Sequence, residues 1–348
     1  MGIQEPAWHS EQVPVTASIC HGAICQHLDK SFRTDYESAL PLTFTIATRR
    51  QFGQAILKEA ARLFLPLLWE RTGSLYHQAI MFLSAAIQLT STSDESANIE
   101  SAEALIRRAA SCGAKLIATP ENTNFLGPQR EKIRRAEPLT GSIVTKFTKL
   151  AEELNVHLLL GSVNERSDDP ERCYNTTVLL SPDGQQLAVY RKIHLFDVDV
   201  PPDVCFQESA ATMAGDEVVV AETALGTVGL SICYDLRFPE LYRQLVDRGA
   251  EIITVPSAFT LTTGKDHWST LIRARAIECQ AYIIAPAQSG RHDDNGLRHS
   301  YGHTMIVDPW GQETAVASDG PGIALAEIDL ERVADVRRRM PVNRHRRL

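Results

Sequence analysis

The chain has 348 residues, 44% of them hydrophobic and 22% charged, and a formal net charge of −8 at pH 7. Only the C-terminal RRRMPVNRHRRL is basic, so the composition argues against a nucleic-acid partner. No uninterrupted apolar run approaches the ~20 residues of a membrane helix, and seven cysteines without a small-domain spacing point to a reducing, cytoplasmic location.

Residues 1–80 have no clear period until RRQFGQAILKEAARLFLPLLWER, where Phe52, Ile56, Leu57, Ala60, Leu63 and Phe64 recur at helical spacing. Pro66 should break or kink that helix. Glu5, Glu11 and Asp29, with no arginine before Arg33, argue against a transit peptide. Cys20, His21 and Cys25 have no second ligand cluster, so no metal is expected there. This stretch reads as an N-terminal extension with one amphipathic helix near 49–65. It is expected to be dispensable for catalysis, with residues 81–348 forming the catalytic domain.

From Met81 the texture changes. MFLSAAIQL predicts a buried strand, and the Ser and Asp residues after it can cap a helix whose apolar face is Ile99, Ala102, Leu105, Ile106 and Ala109. Gly113 ends that helix and KLIAT is the next strand. A helix is expected over 141–154. HLLLGSV, NTTVLLS and QQLAVYRK then read as strands, with Pro182, Asp183 and Gly184 as a turn between the last two. TVGLSI is a strand, followed by a helix from Pro239 to Asp247. EIITVPS is another, followed by a helix over 266–280. AYIIAPAQ, YGHTMIVD and GIALAEID complete the strands. Strands alternating with helices, without a repeat, predict one layered α/β domain.

Four residues at strand ends or in adjoining loops stand out for their chemistry. LIATPEN brings Glu121 to a strand end, VYRKIHLFDVDVP brings Lys192, CFQES carries Glu208, and GLSICYDLRFPEL carries Cys233. Each has a structural alternative: a solvated acid or lysine, or a core cysteine. Together they suit amide cleavage. A thiol next to a helix N-terminus and a cation is favoured as thiolate. A carboxylate raised by burial can take its proton, and a lysine can face the oxyanion. A Cys/His pair is the alternative, but His194, His267, His292, His299 and His303 lie in no recognisable protease context.

TPEN, YRKIHLFDVDVP and GLSICYDLRFPELYR, in that order, resemble the three catalytic blocks of the nitrilase superfamily, the carbon–nitrogen hydrolases. The resemblance runs from about Met81 to the C-terminus. It implies a four-layer α-β-β-α sandwich that pairs through helices into a homodimer or higher homo-oligomer. It also implies a Glu–Lys–Cys triad of Glu121, Lys192 and Cys233, with Glu208 as the additional glutamate. The implied reaction is hydrolysis of a terminal carboxamide through a thioester with release of ammonia, without metal or organic cofactor. In that scheme the Tyr234 N–H joins Lys192 in an oxyanion hole.

Tyr234 follows the nucleophile, where true nitrilases usually carry tryptophan. PSAFTLTTGKDHWSTLIRARAIECQAYIIAPAQSGRH and SYGHTMIVDPWG resemble the branch called deaminated glutathione amidases. The ω-amidase branch more often reads GRAVD where this chain has ARAIE, at 274–278. CQ at 279–280 and DDNGL at 293–297 depart from the commonest forms. The expected substrate is thus a small anionic amide, deaminated glutathione first. An ω-amidase acting on α-ketoglutaramate or α-ketosuccinamate is the alternative, a carbamoyl hydrolase comes third, and a catalytically silent binding protein is the non-enzyme reading. Arg237 is either the partner of a substrate carboxylate or part of an ion pair with Asp235 or Glu240. Thr263 is a second candidate for that carboxylate.

Overall fold

The protein is described by a computed structural model covering residues 81–200, 204–292 and 298–347. The N-terminal extension with its helix near 49–65, the Cys20, His21 and Cys25 group, and the DDNGL loop lie outside those residues.

The first part of the chain lays down β1 (Met81–Gln88), α1 (Glu95–Ser111), β2 (Leu116–Ala118), α2 (Gln129–Arg134), α3 (Ser142–Leu154), β3 (His157–Arg166), β4 (Cys173–Leu180) and β5 (Gln186–Arg191). A hairpin, β6 (Asp197–Val200) and β7 (Val204–Gln207), and the short β8 (Thr212–Met213) follow. The second part supplies β9 (Val220–Thr223), β10 (Gly226–Leu230), α4 (Pro239–Asp247), β11 (Ile252–Thr254), α5 (Leu261–Cys279) and β12 (Tyr282–Ala285). After these come β13 (Ser289–Arg291), β14 (His299–Tyr301), β15 (Met305–Val307), β16 (Glu313–Val316), β17 (Gly322–Asp329) and α6 (Leu330–Arg339).

Two sheets form. One runs β17-β1-β2-β3-β4-β5 with β8 beside β4, and the other β16-β15-β12-β11-β10-β9. Their centres are parallel: β1, β2 and β3 in the first, β10, β11 and β12 in the second. Alternation along β1 sorts the layers. Phe82 and Ala86 join an apolar cluster that includes Leu230 and Ile252 of the second sheet and Trp268 of α5. Ala85 and Ile87, on the opposite face, join Ile106 of α1 and Phe147 of α3. The order is therefore helix, sheet, sheet, helix, as the resemblance implies.

Local chemistry sets the helix ends. Asp94 caps α1 by accepting from the Ala97 N–H at 3.1 Å, and Gly113 leaves with φ +93°. Pro239 opens α4, where its missing N–H costs nothing. The helix expected over 266–280 begins earlier, at Leu261, because Thr260 caps it by accepting from the Thr263 N–H. The polar LTTGKD stretch has no apolar period to announce that first turn.

The fold positions the site through its parallel strands, whose C-terminal ends point to one edge. Gly161 in β3 makes that edge compact. A Cβ there would overlap the Thr119 carbonyl oxygen, and the Gly161 N–H donates to Thr119 Oγ1 at 2.9 Å. The backbone after β2 is thus pressed against β3, which fixes where Glu121 leaves the sheet.

Candidate active site

Glu121 lies three residues past β2 and is 3% exposed. Its Oε1 accepts from Lys192 Nζ at 2.9 Å and from Asn175 Nδ2 at 2.8 Å, and its Oε2 accepts from the Ala258 N–H at 2.8 Å. Lys192 follows β5 directly and is 1% exposed. Its Nζ also donates to Glu208 Oε2 at 2.8 Å. Glu208 opens a short 3₁₀ turn after β7. Its Oε2 accepts the Phe196 N–H at 2.8 Å as well, and its Oε1 the Asn175 amide at 3.2 Å. One ammonium is thus clamped between two carboxylates, and Asn175 of β4 braces both.

The charges are set by one another rather than by water. Burial alone would discharge Lys192, but Glu121 and Glu208 outweigh it and hold the ammonium well above its usual range. Burial would raise Glu208, yet Lys192 and then Lys132 bring it down to about 2. All three groups line a cavity of about 460 Å³, a volume suited to a small molecule.

Cys233 lines the same cavity from the second sheet. It opens a 3₁₀ turn, Cys233–Arg237, between β10 and α4, with φ +49°, a region that non-glycine residues rarely occupy. Its N–H donates to the Pro256 carbonyl at 2.9 Å. Behind it, the fully buried Asp235 accepts from the Ile232 N–H at 2.8 Å, the Tyr190 hydroxyl at 2.7 Å and the His194 N–H at 3.0 Å, with His194 Nδ1 at 2.7 Å. Since Tyr190 and His194 flank Lys192 in sequence, Asp235 ties the lysine's strand end to the cysteine's turn.

The sequence expected the thiol's surroundings to favour thiolate. The structure reverses this. Burial and then the Glu121 carboxylate push the Cys233 pKa well above its usual value, and the Lys192 charge offsets them only in part. The 3₁₀ turn also separates the sulfur from the N-terminus of α4. Such a thiol needs a base at the moment of attack.

Of the other expected site residues, Tyr234 and Thr263 line the cavity. Arg237 is not among its lining residues. Its guanidinium lies over the rings of Phe259 at 5.1 Å and Tyr234 at 5.8 Å, with His267 Nδ1 3.4 Å away. Among the described residues no ion pair joins it to Asp235, which is already filled, or to Glu240. Sequence reasoning missed Asn175, the Ala258 and Phe196 N–H groups, and Lys132. Asn175 left one signal, a polar residue inside the otherwise apolar NTTVLL strand. Among the described residues, no cluster of three or more His, Cys, Asp or Glu is placed to hold a metal ion, and no helix is long and apolar enough to cross a membrane.

Residues 83–338 match the carbon–nitrogen hydrolase family. A deaminated glutathione amidase of Synechocystis sp. is 45% identical over 268 residues, 76% of this chain and 98% of that protein. A human omega-amidase is 40% identical over 266 residues, 76% of this chain and 95% of that protein. Among solved structures, the NitFhit protein of C. elegans superposes with a TM-score of 0.72 at 40% identity, over 77% of this chain and 65% of that one.

Proposed function

The chain belongs to the carbon–nitrogen hydrolase family, and from that premise we propose that it hydrolyses the ω-amide of a small α-keto acid, deaminated glutathione first, with Cys233 as nucleophile. One observation carries the reading: a buried Glu121–Lys192–Glu208 array shares a small-molecule cavity with a buried thiol.

The chemistry follows from the environment of each group. Cys233 stays a thiol at neutral pH, so the Glu121 carboxylate takes its proton as Sγ attacks the amide carbonyl carbon. Charge then builds on the carbonyl oxygen, where the Lys192 ammonium and the Tyr234 N–H stabilise it. The C–N bond breaks, Glu121 hands its proton to the departing amine, and a Cys233 thioester remains. Water adds to that carbonyl while Glu121 takes a proton. The C–S bond breaks, the thiol regains its proton, and a carboxylic acid leaves. Glu208, closed over Lys192 and the Phe196 N–H, keeps the ammonium aimed.

Deaminated glutathione is a secondary amide, so its leaving amine belongs to cysteinylglycine. The ammonia expected from the sequence is the leaving group of a primary amide such as α-ketoglutaramate. That substrate is the second reading, favoured by the 40% identity to the human omega-amidase. Thr263, which lines the cavity, belongs to the proposal as a residue near the substrate, and Arg237 as one packed against the Phe259 and Tyr234 rings of its wall. So do the cytoplasmic location and the homodimer, the latter supported by the exposure of Trp310 and of Ile277, which packs against Gly311. The test offers both substrates to the purified chain in parallel and follows cysteinylglycine and ammonia. Turnover is expected, and Cys233→Ala should remove it by about a thousandfold or more with the melting temperature kept. Residual activity within about tenfold of wild type rules out Cys233 as the nucleophile.

A further inference from the structure

The cavity contains a cation that the proposed chemistry does not use. Lys132, on α2, lines it and is only 9% exposed. Gln129, one helical turn earlier, lines it too, so this face of the short helix looks inward. Lys132 Nζ donates to Thr212 Oγ1 at 3.0 Å. Among the described residues this is its one hydrogen-bond partner, and no carboxylate lies within ion-pair distance. An ammonium has three donors and is costly to bury without a counter-charge. The nearest candidate in the array, Glu208, has its oxygens committed to Lys192, Asn175 and the Phe196 N–H. Lys192 makes ion pairs with two carboxylates, whereas among the described residues Lys132 makes none, although its charge reaches Glu208 and helps to hold that carboxyl low.

We infer that Lys132 is the anion-binding residue of the cavity and takes the carboxylate at the acyl end of the substrate. This rests on the amidase reading and names the residue that reads the acyl-end carboxylate of its substrates. The reaction itself argues for that end. The acyl half remains attached through the thioester while the amine departs, so the amine half must face the way out. Arg291, exposed at the cavity's rim, suits the departing half. Lys132, buried beside Thr212, suits the half that stays.

The experiment compares wild type with Lys132→Met and Lys132→Gln. The first readout is the ratio of kcat/KM for 5-amino-5-oxopentanoate over that for pentanamide, which has the same chain length without the carboxylate. The second is the affinity for glutarate by calorimetry, which needs no turnover. Loss of one charged hydrogen bond should lower the ratio and weaken glutarate binding by about tenfold to a hundredfold each. A ratio within about twofold of wild type overturns the inference, as does glutarate binding that is absent or independent of Lys132. An equal fall on both amides also overturns it, since it would mean that Lys132 serves the array rather than the substrate. If wild type turns over no amide yet binds glutarate through Lys132, the subsite stands and the amidase reading falls. If it turns over amides with the ratio unmoved, the reverse holds.

Discussion

At the edge of the first sheet, Glu121, Lys192 and Glu208 are held by one another's charge. At the edge of the second, Cys233 is held by its backbone and by Asp235, a carboxylate filled with hydrogen-bond donors. The first region concentrates three ionisable groups with little water to share the load. The second contributes a thiol that burial keeps protonated, on a turn with an uncommon backbone conformation. The contrast assigns the parts: electrostatics and proton transfer from one sheet, the nucleophile and its aim from the other. It also implies that the two edges fail differently.

The largest effect should come from removing the central charge of the first region. Lys192→Gln leaves two buried carboxylates without their counter-ion. Turnover should fall by roughly 100- to 1,000-fold, and stability by about 3–5 kcal/mol, read by steady-state kinetics and urea unfolding. A change confined to KM would mean that Lys192 binds substrate rather than stabilising the oxyanion.

Asp235→Asn strikes the second region where it is tied to the strand end that carries Lys192, and leaves the three charged side chains of the array in place. The new amide group cannot accept from all of the Ile232, Tyr190 and His194 donors, and the mismatch should cost about 1–3 kcal/mol. Activity should fall about tenfold through kcat as the thiol loses its aim. If kcat holds while the melting temperature drops, Asp235 supports the fold and not the nucleophile.

The smallest effect separates the regions by pH. Glu208 is held near 2 in the fold, below its ordinary value of 4.5. A depressed carboxylate contributes stability that is complete above its unfolded pKa and is lost as pH falls through the folded one. Between pH 5 and pH 3 the wild-type melting temperature should therefore drop further than that of Glu208→Gln. Parallel curves would show that the clamp contributes nothing to this loss.

The sequence made Glu121 and Lys192 legible because they fall at or just past strand ends that hydrophobic patterning locates, whereas Glu208 was legible only as the glutamate of FQES that the family resemblance picks out. The strands holding the site were readable for the same reason. What escaped depends on partners far along the chain. Asp235 looked like a partner for Arg237, but its donors include Tyr190 and His194, some 40 residues earlier. Lys132 lies in the polar run GPQREKIRR, which reads as a solvated loop until tertiary packing buries one face of a six-residue helix. The hairpin of β6 and β7 carries DVDV and VCFQ, too short and mixed to show a period. The reversal at Cys233 was equally hidden, because a thiol's pKa depends on burial and on a glutamate more than a hundred residues away.

The central claim is that Cys233 carries the acyl group between the two halves of the reaction. Mixing the enzyme with excess deaminated glutathione, quenching in acid within milliseconds and measuring intact mass tests it directly. The account predicts a species heavier by the acyl portion of the substrate, mapped by peptide analysis to Cys233, removed by hydroxylamine and absent from Cys233→Ala. An acyl group on another residue, or full turnover by Cys233→Ala with no adduct at any time, would contradict it.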